Sequence, residues 1–212
     1  MKLYYAPGAC SLAGRIALHE AGVAAEFERV DLRTKMTEEG YDFTVINEKG
    51  YVPTLMLDDG ETVTENLAVL SFLADRNPAL GPGGLLGRTR LIEMLAFIST
   101  EIHKSFKPFF HGASRQDERD RAAEAISARL DFLCDRTAEH YLFGPRFTVA
   151  DAYLFVTLRW ARAFGVRIPL ALLGYFERVE ARPSVRRSLA EEGLSVERSL
   201  PHATVPDAST TA

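Results

Sequence analysis

The chain has 212 residues, 47% of them hydrophobic and 25% charged, with a formal net charge of −4. This composition belongs to a globular protein able to build one large core or two small ones, and the mild acidity excludes a nucleic-acid binder that works through a basic stripe. No run approaches the roughly 18 apolar residues of a membrane span, and MKLYYAPGAC lacks the apolar core of a signal peptide.

Strand and helix signals alternate through the first 76 residues. KLYY (2–5) reads as a strand broken by Pro7-Gly8. SLAGRIALHEAG places Leu12 and Ile16, and Ala13 and Ala17, at helical spacing, with Gly22 as the stop. AEFERVDL (25–32) returns to strand, with Phe27, Arg29 and Asp31 on one face. Residues 33–50 read as a polar, irregular loop. VPTLMLDDGETVT (52–64) reads as a hairpin around Asp59-Gly60, and ENLAVLSFLADR (65–76) as a helix stopped by Asn77-Pro78. The order βαβ, loop, ββα predicts a parallel pair with a right-handed crossover, extended by an antiparallel hairpin.

ALGPGGLLG (79–87), with four glycines and a proline, is the expected linker between an α/β domain at 1–78 and an all-α domain at 88–200. In residues 91–106, Leu91, Leu95, Ile98, Ile102 and Phe106 repeat at steps of three and four, which predicts one regular helix. Residues 115–133 begin charged and become amphipathic. In 149–164, twelve of sixteen residues are apolar all round the helix, which marks the buried axis of the second domain. Thr148 and Asp151 fit a capping box at its start, with Asp in place of the usual Glu. Cys134, Trp160 and Phe164 are expected to pack in the core, and the small polar tail (201–212) to be disordered.

Two cysteines 124 positions apart form neither a disulfide framework nor a metal-ligand spacing, and the five histidines do not cluster. The expectation is a reduced, cytoplasmic protein without a metal. Cys10 lies between a strand end and a helix start, near unpaired N–H groups and the positive end of the helix dipole. Both favour thiolate and predict a pKa below about 8.5. Residue 13 is Ala, so there is no C-x-x-C, and a small buried hydrophobe remains the plain alternative.

Val52-Pro53 heads a strand. A trans bond is the default, whereas a cis bond would present the Val52 amide and carbonyl as an edge for an extended peptide. At Thr64-Glu65-Asn66, Glu65 or Asn66 either caps the next helix, or the turn's N–H groups hold a carboxylate while Glu65 pairs with an ammonium. Lys35 would supply a cation for a second carboxylate. Glutathione, an extended peptide with a thiol, an amine and two carboxylates, fits this description.

The stretches MKLYYAPGACSLAGRIALHEAG, VDLRTKMTEEGYDF, GYVPTLMLDDGETVTEN and FTVADAYLF resemble bacterial glutathione transferases of the beta class, in order through about residues 1–190. The resemblance implies a thioredoxin-like first domain, a cis-Pro at Pro53, an all-α second domain that supplies an electrophile pocket, and a homodimer. It implies glutathione as co-substrate, bound by Tyr5, Cys10, Ser11, Lys35, Val52, Pro53, Glu65 and Asn66. His103 and Lys104 line the cleft in that class, and Thr100 matches a serine there. Thr100, His103 and Lys107 lie at steps of three and four, off the apolar helix face. The class also implies a mixed disulfide between Cys10 and glutathione, which leaves Cys10, Tyr5 and His103 as the catalytic candidates. Two departures stand out: Asn66 replaces a small residue, and Ala96 an asparagine that reaches across the dimer.

The expected activity is conjugation of glutathione to small hydrophobic electrophiles, a detoxifying reaction. The alternatives are glutathione-dependent thiol–disulfide exchange and a non-catalytic glutathione-binding or interaction module. Phe106, Phe109 and Phe110 form an aromatic stretch that one chain is expected to leave uncovered, consistent with a dimer.

Overall fold

The computed structural model describes residues 1–110, 113–137 and 140–194. The tail at 201–212 and His111 lie outside them. Strand β1 (Lys2–Tyr5) leads through the Pro7-Gly8 turn into helix α1 (Leu12–Glu20). The crossover returns to β2 (Glu26–Asp31), parallel to β1. Along β2 the buried residues are Glu28 and Val30, while Arg29 and Asp31 face outwards.

The loop expected over 33–50 is more ordered than its polarity suggests. Met36–Thr37 forms a short strand, β3, antiparallel to β2. Phe43–Ile46 forms a single helical turn, α2, and Asp42 Oδ1 accepts the Thr44 N–H at 2.9 Å to cap it. The anchor is Phe43, which is fully buried against Tyr4. A two-residue strand carries no periodicity, so only the tertiary contact reveals it.

The predicted hairpin consists of β4 (Thr54–Met56) and β5 (Thr62–Thr64), with Gly60 at φ +88° in the turn. Strand β4 also pairs antiparallel with β1, placing Leu3 opposite Leu55. Helix α3 (Asn66–Arg76) follows. The result is a thioredoxin-like mixed sheet of five strands, in the order β3-β2-β1-β4-β5, where the sequence had suggested four.

From residue 87 onwards the elements are helical. Helix α4 (Gly87–Phe97) runs on through a π-helical stretch (Ile98–His103) and a 3-10 turn (Lys104–Phe106) into α5 (Lys107–Phe110). The single regular helix expected at 91–106 is therefore broken into three geometries. Then come α6 (Gln116–Asp131), α7 (Cys134–Thr137), α8 (Val149–Ala163), α9 (Leu170–Glu180) and α10 (Pro183–Glu191). Cys134 is half-buried at the start of α7, its thiol donating to Leu130 O at 3.7 Å, rather than a core residue. Among the described residues, no helix is long and apolar enough to cross a membrane.

One apolar cluster runs from Leu3, Ile16 and Leu70 beneath the sheet to Leu95, Leu154 and Phe176 among the helices. A smaller one, with Tyr4, Val30, Phe43 and Val52, covers the opposite face of the sheet. Each fully buried Leu or Phe side chain contributes about 1.5–3 kcal/mol by leaving water.

Helix α8 is the buried axis that its composition implies, and the capping box at its start is present. Asp151 is wholly buried. Its Oδ2 accepts the Thr148 N–H (2.8 Å) and hydroxyl (2.7 Å), while Oδ1 accepts the Leu142 N–H and the Tyr175 hydroxyl (both 2.8 Å). The last two partners come from outside the helix, so the carboxylate joins three segments. Asp151→Ala loses the cap and leaves buried donors unpaired, which should cost about 3 kcal/mol. For a chain of this size that lowers Tm by roughly 6–12 °C. Thermal melting and glutathione titration on one sample separate the two roles. A normal melt with lost binding would instead place Asp151 in the site.

Candidate active site

A cleft of about 770 Å³ opens between the sheet half and the helical half of the chain. One wall carries Cys10, Tyr51, Val52, Pro53, Glu65 and Asn66; the other carries Ser99, His103, Lys104, Lys107, Phe110 and Tyr153.

The turn before Cys10 is held from the helical side. Gly8, at φ +71°, adopts a conformation that suits glycine. Its N–H donates to Glu192 Oε2 at 2.8 Å, and its carbonyl accepts the Trp160 indole N–H at 2.8 Å. Cys10 Sγ then lies 3.6 Å from the carbonyl oxygen of Val52. The Val52-Pro53 bond is cis. The N–H groups of Cys10 and Ser11 act on the sulfur and favour thiolate, as the sequence suggested. Burial is the larger effect and pushes the Cys10 thiol up to about 12. The direction is opposite to the sequence expectation: in this cleft desolvation outweighs the helix terminus, and the resting side chain is a neutral S–H donor.

Several expected ligand groups have other tasks. The Ser11 hydroxyl is fully buried and bonds the Ala6 backbone, at 3.3 Å to N and 3.4 Å to O, so it stitches the turn rather than facing the cleft. Tyr5 does not line the cleft either. Its buried ring lies under the Arg15 guanidinium, 4.1 Å from the centroid. Lys35, at φ +62°, donates from Nζ to Gly50 O at 2.8 Å and braces the segment leading to Val52 from just outside the lining.

Glu65 adopts φ +71° with ψ 124°, a sparsely populated conformation that costs a side-chain-bearing residue about 1–3 kcal/mol. It makes no side-chain cap to α3. Its carboxylate accepts Lys49 Nζ at 2.7 Å and the Tyr51 hydroxyl at 2.6 Å, and these bonds hold it below the usual carboxylate range. Neither partner is singled out by the sequence, although they flank Gly50 three residues before Pro53. Asn66 is buried, and its amide nitrogen and oxygen each lack a well-formed hydrogen bond.

On the helical wall, His103 Nδ1 lies 2.6 Å from the Tyr153 hydroxyl, and Trp160 packs edge-on against the imidazole at 4.8 Å. Burial, helped by neighbouring Lys104, pushes His103 down to about 4, so the ring is neutral near pH 7. Burial raises Tyr153 well above an ordinary phenol. Thr100 is exposed and bonds back to Ala96 O at 3.0 Å; Ser99 takes the lining position instead. The π-helical stretch advances the register by i→i+5 bonding, and a 3.6-residue period misplaces the wall by one residue.

Phe106 is fully buried among Phe109, Phe110, Trp160 and Phe164, so most of this aromatic stretch is covered within one chain. Phe110 remains open and supplies an apolar surface to the cleft. Tyr153 was indistinguishable from core in an apolar helix. Its only sequence signal is a buried hydroxyl that requires a partner.

The N-terminal domain model of glutathione S-transferases matches residues 8–76, and the C-terminal domain model matches 96–183. The chain is 40% identical over 202 residues to glutathione S-transferase GstA of Escherichia coli O157:H7, covering 92% of this chain and 100% of the relative. A sphingomonad glutathione S-transferase, solved in complex with glutathione, superposes with a TM-score of 0.84 at 43% identity. The bacterial beta class enzyme of Sphingomonas chungbukensis gives 0.83 at 44%. Each covers 92% of this chain and 100% of the other. With both domain models matched in order and the similarity running along nearly the whole chain, this protein belongs to the glutathione S-transferase family of enzymes, in its bacterial beta class.

Proposed function

We propose that the enzyme conjugates the thiol of glutathione to small hydrophobic electrophiles within this cleft. The observation that carries the reading is the pairing of walls: Cys10, the Val52 edge and Glu65 face an aromatic surface at Phe110 and Tyr153. The glutathione-bound sphingomonad relative supports the choice of co-substrate. Glutathione lies extended along Val52, with its γ-glutamyl ammonium at Glu65 and the neighbouring carboxylate on the turn at Asn66. Lys35 exchanges the Gly50 carbonyl for the glycyl carboxylate.

The thiol rests beside Cys10 and loses its proton to water. The sulfur then attacks the electrophilic carbon, a C–S bond forms, and the leaving group departs with its bonding electrons. Cys10, neutral at physiological pH, donates its S–H to the glutathione thiolate and stabilises it as a hydrogen-bond donor. This replaces the activated-thiolate role expected from the sequence. In the alternative, disulfide exchange, Cys10 thiolate attacks oxidised glutathione, forms a mixed disulfide and releases one glutathione thiolate. A thiol pushed up to about 12 is a poor nucleophile at neutral pH, and this favours conjugation. The reading includes a cytoplasmic location and a homodimer, both by family likeness, the dimer also supported by exposed Leu85, Leu86 and Phe132.

Three outcomes test it. Below its pKa, the thiolate fraction of a thiol rises about tenfold per pH unit. Intact mass spectrometry should therefore show glutathionylation of Cys10 by oxidised glutathione accelerating from pH 6 through pH 9, absent in Cys10→Ala. That variant should lose disulfide reductase activity yet keep conjugation within about tenfold, the equivalent of one hydrogen bond. A labelling rate that levels off near pH 7 would restore the thiolate role.

Glu65→Gln removes the charge facing the ammonium. Because Glu65 is half exposed and already paired, calorimetry should show affinity for glutathione falling only about 2–5-fold. Unchanged affinity would refute the ligand orientation.

Light scattering should give about 47 kDa, twice the chain mass of 23.5 kDa. A monomer at micromolar concentration would remove the dimer.

A further inference from the structure

We propose that Tyr153 is a catalytic residue of the transferase reaction, its hydroxyl donating a hydrogen bond to the glutathione sulfur from the wall opposite Cys10. The inference rests on the glutathione reading above and adds to it a group from the second domain. Helix α8 is buried almost throughout, and a phenylalanine would fill its core as well as a tyrosine does. The hydroxyl is directed instead to the cleft, where it meets His103 Nδ1 at 2.6 Å.

The neutral imidazole fixes that hydroxyl without consuming it. With the proton on Nδ1, His103 donates to the phenolic oxygen and leaves the Tyr153 O–H free to point at a ligand. Trp160, packed edge-on against the imidazole, limits its rotation. The phenol also interacts electrostatically with Cys10 and Glu65 and lies close to Ser99 and Asn66, so it borders the space beside the Cys10 sulfur. The titratable groups that face this space are Cys10 before α1, Tyr51 before β4, Glu65 before α3, His103, Lys104 and Lys107 on the second wall, and Tyr153 itself.

The energetics call for such a donor. Two backbone N–H groups act on Cys10, yet burial still drives its thiol towards the neutral form. A glutathione thiolate beside it meets the same desolvation and requires donors beyond those two. Asn66 gives further support: buried in the same cleft, its amide lies against the Tyr153 hydroxyl without a well-formed hydrogen bond elsewhere, so both polar groups border the space a ligand sulfur would enter. Because burial raises the phenol's own proton affinity, Tyr153 remains a donor throughout the working pH range.

The test is a Tyr153→Phe variant, checked by thermal melting and titrated with glutathione. Ultraviolet absorbance follows the bound thiolate against pH. The expected result is near-normal glutathione affinity, a bound-thiol pKa raised by about one unit or more, and kcat/KM at pH 7 lowered about 10–100-fold towards an activated aryl halide. The deficit should shrink as pH rises and the thiolate forms unaided, a convergence that a packing role would not produce. His103→Gln, which disturbs the support of the hydroxyl, should shift the thiol pKa in the same direction by less, and it serves as the test if Tyr153→Phe does not fold. Unchanged thiol pKa and rate in a variant that binds glutathione would overturn the role of Tyr153. Failure of the unaltered enzyme to bind glutathione would overturn the parent reading, and this inference with it.

Discussion

The peptide group of Gly8 is held at both ends by the helical half of the chain. Its N–H goes to Glu192, just beyond α10, and its carbonyl to Trp160 on α8. The turn that positions Cys10 and opens α1 is therefore not free to move independently of the second domain. Further ties lie alongside: buried Arg15 on α1 pairs with Glu191 and Glu192, and Arg182 pairs with Glu20. A chain connected only by the glycine-rich stretch at 79–87 would leave the two walls of the cleft loosely registered. With a shared core and these cross-links, the sulfur site has a fixed geometry.

Within that geometry, desolvation decides the resting charge state. Burial pushes Cys10 up, His103 down and Tyr153 up, so each takes its neutral form near pH 7. Among the lining residues the charges are carried at the more open positions, by Glu65, Lys104 and Lys107. Glu65 keeps its charge because Lys49 and Tyr51 bond it directly. The deep lining groups are thus neutral, and charge is confined to the open rim of the cleft. A single argument from the helix dipole reaches the opposite answer for Cys10, since the dipole effect of about 0.3–1 kcal/mol is smaller than the cost of removing a charged sulfur from water.

The helix that forms the second wall shows how a local irregularity reassigns residues. Leu91, Leu95, Ile98 and Ile102 satisfy the apolar period and are buried. The π-helical stretch and the 3-10 turn that follows rotate the polar residues between them, exchanging Thr100 for Ser99 in the cleft. Hydrophobic spacing is tolerant of such a slip because a leucine contributes through area in any direction. A hydroxyl contributes through one bond, and a shift of one residue removes it.

The amino-acid sequence by itself determined the strands at KLYY and around Asp59-Gly60, the helices that follow them, the buried axis at 149–164 and its capping box. These are local properties: alternation, helical period, turn chemistry and cap pairing act over a few residues. It also made Cys10, Val52-Pro53, Glu65 and His103 legible as candidates, because motif order survives in the chain. The tertiary structure alone decided that Tyr5 lies under Arg15 rather than in the cleft, that Lys49 and Tyr51 hold Glu65, and that Tyr153 meets His103 across fifty residues. It also decided the protonation of Cys10. Desolvation and long-range hydrogen bonds depend on which segments come to surround a group, and no spacing along the chain encodes that surrounding.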